Sequence, residues 1–257
     1  METEQGNFVL DPVDQIVSKS LLQRGQYGLD SLERAAGFLS PRSDVLLLGA
    51  HVGAIAVPLS RRCQKLVAIE ANPTTYKLLL ANLLLNCCNN VEPYNIAAND
   101  CDEKIEFVLN THNSGGSKRM PIYKDPIYFY DSPRITKVRG VRIDALLPNR
   151  RFELIFMDIE GSEYFAFLGM PNILTHANAL IVEFLPHHLS RVAGKSVSQF
   201  LAPVMPYFDS LSIPSRGIRV NRADFLKTLE SMFNEGRSDE GIVFQKLGTR
   251  NRRMVKL

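Results

Sequence analysis

Short, unbroken apolar runs recur along this chain between stretches of helical spacing. Val45–Leu48, Leu66–Ile69 and Val91–Ile96 are such runs, each too short for a helix. Without polar alternation they predict strands buried on both faces, and so a parallel sheet. Ala54–Arg62 predicts a helix after the first strand. Asn72 caps another after the second, with Pro73 at its first position and an end near Asn86. Strand and helix alternating in this way give right-handed crossovers and an α/β, doubly wound sheet.

Residues 11–40 predict two helices ahead of the sheet. Asp11-Pro12 reads as a cap and a first-turn proline, with Val13, Ile16, Val17 and Leu21 on one face. Asp30 and Glu33 resemble a capping box before Leu32, Ala35, Ala36 and Leu39.

The rhythm breaks over residues 101–143. Ile105–Leu109 and Val138–Ile143 predict strands, and between them lies the polar, glycine- and proline-containing stretch Asn110–Pro133. A connection this long inside a domain is usually functional, and this one carries Tyr123, Tyr128, Phe129 and Tyr130. It reads as a lid or substrate-recognition insertion, with Asn113-Ser-Gly-Gly116 as its hinge or turn. Leu154–Met157, a short helix at Phe165–Leu168, and Leu180–Phe184 then resume the alternation. A helix over Ser196–Val204, a strand over Asp209–Ile213 and an amphipathic helix bearing Phe225, Leu226, Leu229 and Phe233 follow. That last helix is capped by Asn221 and stopped by Gly236, and Gly241–Leu247 is the final strand. The division expected is an N-terminal helical cap at 1–40, a Rossmann-like domain at 41–247 and a basic tail at 248–257.

Composition narrows the class. A chain of 257 residues with 45% hydrophobic and 22% charged residues suits one α/β domain with insertions. A net charge of +3 is too small to argue for nucleic acid. The four cysteines form no C-x-x-C pair, so no metal site is expected and the thiols read as reduced. The acidic, polar start lacks the parts of a signal peptide, and no apolar run approaches a membrane span. A cytoplasmic protein is expected. The basic end, Arg250–Leu257, reads as a solvated tail.

The candidate chemistry lies at the predicted strand tips. Gly49 and Gly53 follow the first strand, and Glu70 ends the second, 21 residues after Gly49. A carboxylate there can accept both hydroxyls of an unphosphorylated ribose. The glycines read as a tight turn that lets a cofactor approach. Their spacing is G-x-x-x-G, so the dinucleotide fingerprint is incomplete. A diphosphate wants the full glycine turn at a helix N-terminus. S-adenosylmethionine has no phosphate and is favoured over NAD.

Gly49-Ala-His-Val-Gly53 followed by Glu70-Ala-Asn-Pro73 resembles the FkbM family of S-adenosylmethionine-dependent methyltransferases. The resemblance continues through Asn95–Asp100, Asn113–Gly116, Val141–Asp144, Asp158-Ile-Glu-Gly-Ser-Glu163 with Gly169, and Ile181–Phe184. It implies a Rossmann-like doubly wound sheet of class I methyltransferase type. It further implies a cofactor site at Gly49, Ala50, His51, Gly53, Glu70, Ala71, Asn72, Ala97 and Asp158. The acceptor implied is a small molecule or glycan, methylated on a sugar or natural-product hydroxyl. Two positions depart from the family: Leu47 stands where an acid usually holds the methionine amino group, and His51 stands in place of asparagine. Either another acid, such as Asp158, takes over, or the chain is a degenerate relative acting as a binding or scaffold protein.

Asp158 sits just past Leu154–Met157, and Glu160 follows two residues later. The reading is Asp158 at the methionine end, Glu160 facing the acceptor, and Glu183 beside the same crevice. Such carboxylates can align the acceptor and take its proton. Glu163 reads as an acid at a helix start. His187-His188 reads as a pair of exposed loop histidines. A nicotinamide-dependent oxidoreductase is the third and weakest reading.

Overall fold

The computed structural model describes residues 1–248, in which helices cover both faces of an eight-stranded sheet. Besides a short hairpin of Glu2–Thr3 and Gly6–Asn7, the strands are β1 (Asp44–Leu48), β2 (Lys65–Ile69), β3 (Val91–Tyr94), β4 (Ala97–Ala98), β5 (Glu103–Leu109) and β6 (Lys118–Arg119), then β7 (Arg134–Val141), β8 (Leu154–Met157), β9 (Ala179–Phe184), β10 (Ser210–Ile213), β11 (Ile218–Asn221) and β12 (Asp239–Gln245). The helices are α1 (Val17–Arg24), α2 (Leu29–Ala36), α3 (Ala56–Ser60), α4 (Pro73–Leu85), α5 (Ile143–Leu146), α6 (Glu163–Leu168), α7 (Pro171–His176), α8 (Val197–Leu201) and α9 (Phe225–Asn234).

The main sheet runs β11-β10-β12-β9-β8-β1-β2-β3. From β3 to β9 neighbouring strands are parallel, and the remaining pairs are antiparallel. The chain winds outward from β1 to β3, then returns to β8 on the other side of β1. Strand order therefore reverses between β1 and β8, and a crevice opens beyond their carboxyl ends.

Alternation along the strands splits the core into two apolar layers. Leu46, Leu48, Val67, Ile69, Ile155 and Met157 pack under α6 to α9. Val45, Leu47, Leu66, Ala68 and Phe156 pack on the other face, with residues of α1 to α4. The unbroken runs are thus buried on both faces, as expected for β1, β2 and β8. β3 differs: it is the sheet edge and half-exposed. Pro93, which lacks an N–H, is tolerated at such an edge.

The predicted strand over Val91–Ile96 ends at Tyr94. The Asn95 amide donates to the carbonyls of Glu70 (2.8 Å) and Ala71 (3.2 Å), and the chain leaves the sheet there. Ala97–Ala98 joins a second sheet, ordered β4-β7-β5-β6. Residues 101–143 thus build most of a small sheet with two 3-10 turns, a more ordered segment than a loop between two strands.

Three expected caps differ. α1 starts at Val17, because Asp11 accepts from Val13 N in a local turn. Asp14 caps instead, its Oδ1 accepting from Ile16 N (3.1 Å) and Ser18 N (2.8 Å), which leaves Val13 and Ile16 exposed. α2 starts at Leu29 after left-handed Gly28, so Asp30 lies inside it and no capping box forms. Asn221 ends β11, and α9 starts four residues later at Phe225. The Asn72 cap is present: its side chain accepts from Thr74 N at 2.9 Å, with Pro73 at the first position. Ser196 and Gln199 form a capping box at α8 that the sequence reading did not single out.

All four cysteines are free. Among the described residues no helix is long and apolar enough to cross a membrane. The basic run from Arg250 lies outside the described residues.

Candidate functional site

The crevice at the β1/β8 switch point holds a cavity of about 350 Å³. Its floor is the glycine turn after β1. Gly49 N and Ala50 N both donate to Ile69 O at 2.9 Å, which ties this turn to β2. Gly49 adopts φ +88°, and a Cβ there would lie 1.7 Å from the Asp158 carbonyl oxygen. The glycine is therefore required by the neighbouring strand tip. Gly53, at φ +94°, faces Leu79 of α4 and does not line the cavity. Asn72 is also absent from the lining: its Oδ1 caps α4 and its Nδ2 donates to Ser117 Oγ at 3.2 Å. Gly49, Ala50, His51, Glu70, Ala71, Ala97, Asp158, Glu160 and Glu183 do line it.

Glu70 is held by two backbone donors, His51 N on Oε2 and Asn72 N on Oε1, both at 2.7 Å. The Ala71 N–H and the Thr75 hydroxyl also bear on this carboxylate. Burial raises its pKa, and these N–H groups pull it back.

His51 sits in the left-handed region at φ +49°. Its Nε2 meets Ser114 Oγ at 2.7 Å, and Ser114 Oγ and N reach Asp14 Oδ2 at 2.6 and 2.8 Å. With Ser114 donating to Asp14, His51 carries its proton on Nε2 and leaves Nδ1 as an acceptor without a protein partner. Burial pushes the imidazole pKa down to about 4, so the ring stays neutral. The chain Asp14–Ser114–His51 ties the N-terminal segment and the insertion to the glycine turn after β1. Asp14 was not singled out in the sequence. Its signal was a second acid, Asp14, three residues after Asp11 and four before Ser18.

The opposite end of the cavity is acidic. Asp158, Glu160, Glu183 and Glu240 line it together with Tyr27. Asp158 and Glu183 are within hydrogen-bonding contact, and burial plus the neighbouring carboxylates raise both pKa values. The same surroundings raise the Tyr27 phenol. Among the described residues that line this cavity there is no Lys or Arg. Leu47 is fully buried in the apolar layer and is not part of the lining.

Glu160 adopts φ +55° and meets Lys118 Nζ at 3.1 Å and His188 Nδ1 at 3.2 Å. Lys118 Nζ also lies 3.4 Å from His188 Nε2. Ligand atoms of Glu160, Glu183 and His188 fall within 4.8 Å of one another, but the Lys118 ammonium already bears on two of these residues. His188 corrects an expectation. His187 is exposed as foreseen, whereas His188 turns inward on the wide helical turn His188–Val192 and is 5% exposed. Lys118 was not foreseen, since no sequence period links it to a residue 42 positions away.

Glu163 heads α6, and its Oε1 accepts from Ile159 N and Gly161 N at 3.3 Å. Burial raises its pKa to about 7. The folded state thus keeps a proton that the unfolded chain releases near 4.5. This contribution is fully present below pH 4.5 and is lost as pH rises through 7. The lowered pKa values of His51 and His188 act in the opposite sense below pH 6.5. A Glu163→Gln variant isolates the acid. Its stability relative to wild type is expected to rise by up to about 3 kcal/mol between acidic and neutral pH. Paired melts across pH 4.5–8 check this, and a constant difference would refute it.

Comparison with known proteins gives the family. The sequence profile described as "Methyltransferase FkbM domain" matches residues 48–216. This chain belongs to the FkbM methyltransferase domain family. No curated protein matches it. Among solved structures, an FkbM methyltransferase from Methylobacillus flagellatus is 14% identical, with 92% of this chain and 56% of that one covered and a TM-score of 0.47. A dimethyladenosine transferase from Plasmodium falciparum is 15% identical, with 86% and 62% covered and a TM-score of 0.45. An rRNA methylase from Streptococcus thermophilus is 10% identical, with 84% and 95% covered and a TM-score of 0.46. This FkbM-domain chain thus spans less than two thirds of the first two proteins.

Proposed function

We propose that this FkbM-domain protein is an S-adenosylmethionine-dependent methyltransferase acting on a hydroxyl of a sugar or natural product. The observation that carries the cofactor assignment is the charge of the cavity. Glu70, Asp158, Glu160, Glu183 and Glu240 line it, with no Lys or Arg among the described lining residues, although Asp158 and Glu183 share a proton and Lys118 pairs with Glu160 from the neighbouring cavity. A nicotinamide dinucleotide would bring two phosphate charges to a wall that offers them no cation. A sulfonium and an ammonium group complement it. Glu70 suits the ribose diol, and the unpartnered His51 Nδ1 offers a further acceptor nearby.

When bound, the cofactor supplies an activated methyl group. The protein's own part is alignment and proton removal. Asp158 and Glu183 receive the cationic end, taking over from the acid that Leu47 replaces. Binding of a cation there favours their ionised forms and releases the proton they share. Glu160 borders both this cavity and a second one, so it is the carboxylate positioned to take the acceptor's proton. Residues 101–143 close one side of the site as a lid-like insertion.

Calorimetric titration tests this reading. S-adenosylhomocysteine is expected to saturate the protein with proton release, and NAD to give no heat of binding. Binding of NAD alone would replace the reading with an oxidoreductase. Binding of neither would favour a scaffold in which Leu47 has disabled the pocket.

A further inference from the structure

A second cavity, of about 260 Å³, opens on the far side of Glu160. It is lined by Asn110, Lys118, Tyr128, Tyr130, Glu160 and His188, among others. Asn110 Oδ1 is a buried polar atom without a hydrogen-bond partner, whereas His188 Nδ1 faces Glu160 Oε2 at 3.2 Å. Both residues are only 5% exposed. An orphaned acceptor or donor buried this deeply costs about 1–3 kcal/mol unless a ligand or water meets it.

The charge of this cavity differs from that of its neighbour. Lys118 is its one cation among the described lining residues, and Glu160 neutralises it at 3.1 Å. The same ammonium points at His188 Nε2, which leaves the His188 proton on Nδ1. Burial and Lys118 hold that ring neutral. The walls therefore offer one unpartnered acceptor, Asn110 Oδ1, without net charge, and His188 Nδ1–H is directed to Glu160. A hydroxyl group satisfies this acceptor by donating its proton. Tyr128 forms an aromatic wall, stacked on His187 with an interplanar angle of 11° and fixed by its hydroxyl on His187 O at 3.1 Å. Tyr130 stands at the mouth, 60% exposed. The volume lies below the usual range for drug-sized ligands, about 300–1,000 Å³. A single ring fits this volume.

We propose that this cavity is the acceptor pocket and that it takes a neutral, hydroxyl-bearing molecule of a single ring, selected by Asn110 and the Tyr128 wall. The proposal rests on the methyltransferase reading above. It adds that phosphorylated or carboxylated rings are rejected, because the pocket has no unpaired cation to receive them.

Saturation-transfer NMR on the S-adenosylhomocysteine-loaded protein tests it with matched probes. Myo-inositol and methyl α-glucoside are the neutral rings, and glucose 6-phosphate and glucuronate are the anionic ones. Only the neutral rings are expected to bind. Asn110→Leu should weaken them about ten-fold, the loss expected for one buried hydrogen bond. The exposed Tyr130→Ala, which leaves the core untouched, should weaken them about three-fold. Both variants should keep the wild-type affinity for S-adenosylhomocysteine. Preferential binding of the anionic rings, neutral-ring binding indifferent to both variants, or no binding of any ring would overturn the proposal. Titration of S-adenosylhomocysteine on the same samples reads the cofactor assignment separately. If that titration fails, the ring panel on the unloaded protein still decides the pocket.

Discussion

Glu70→Ala is expected to abolish measurable binding of S-adenosylhomocysteine while the sheet stays assembled. The carboxylate directly follows β2 and is held by His51 N and Asn72 N, with the Ala71 N–H and the Thr75 hydroxyl also bearing on it. Each charged hydrogen bond to a ribose hydroxyl is worth about 1.5–3 kcal/mol. Losing two weakens binding by at least about a hundred-fold. Removal also strands two backbone N–H groups in the cofactor loop and loosens the ribose end of the cavity. The fold itself tolerates the change better, because burial raises the Glu70 pKa and its charge is already costly to keep. Glu70→Gln serves as the graded control. It preserves volume and one acceptor, and should weaken binding about ten-fold. Calorimetry with a circular-dichroism melt of each variant separates affinity from folding. Unchanged affinity in Glu70→Ala would remove Glu70 from the site.

Gly49→Ala is expected to have the largest effect on stability. The added methyl would sit 1.7 Å from the Asp158 carbonyl, on the backbone of the adjacent strand tip. That atom cannot rotate away as a side chain would. Gly49 also sits at φ +88°, where an L-residue costs about 1–2 kcal/mol. Relief requires β1 and β8 to part at their carboxyl ends, which disrupts the floor of the cavity. A loss above about 4 kcal/mol is expected, at the extreme of single-substitution effects. For a domain of this size it lowers Tm by more than about 10 °C. Gly53→Ala gives a useful contrast. Its Cβ would meet Leu79 Cδ1 at 3.1 Å, a mobile side-chain end, so the backbone strain at φ +94° dominates. The Gly53 variant should keep S-adenosylhomocysteine binding if it folds, because Gly53 does not line the cavity. Equal melts for Gly49→Ala and wild type would refute the packing argument.

Local signals in the chain were sufficient for much of this. Apolar runs specify strands because every residue in β1, β2 and β8 must avoid water on one face or the other. The Asn72-Pro73 start of α4 depends on neighbours within two residues and needs no tertiary help. Glu70 was legible because strand length and crossover length place the end of β2 near the turn after β1. Asp158 and Glu183 were legible for the same reason, as polar residues ending or just following apolar strands.

Tertiary structure decided what depends on contacts between distant segments. Which of Asp11 and Asp14 would cap α1 was settled by Ser114, a hundred residues away, whose N–H and hydroxyl bind Asp14. The exposure of His188 could not be read from a His-His pair after a proline; its burial follows from a wide helical turn and the packing of Lys118 and Tyr128 against it. Gly53 and Asn72 share their motifs with lining residues, yet the helix α4 they pack against draws them away from the cavity. The strand tips, the α4 start and the position of Glu70 directly after β2 were thus determined by the sequence alone, because they follow from periodicity and from hydrogen bonds spanning a few residues. The partners of Glu160, the neutral second cavity and the tether over the glycine turn after β1 arose only in three dimensions, because separations of 42, 70 and 100 residues leave no period in the chain.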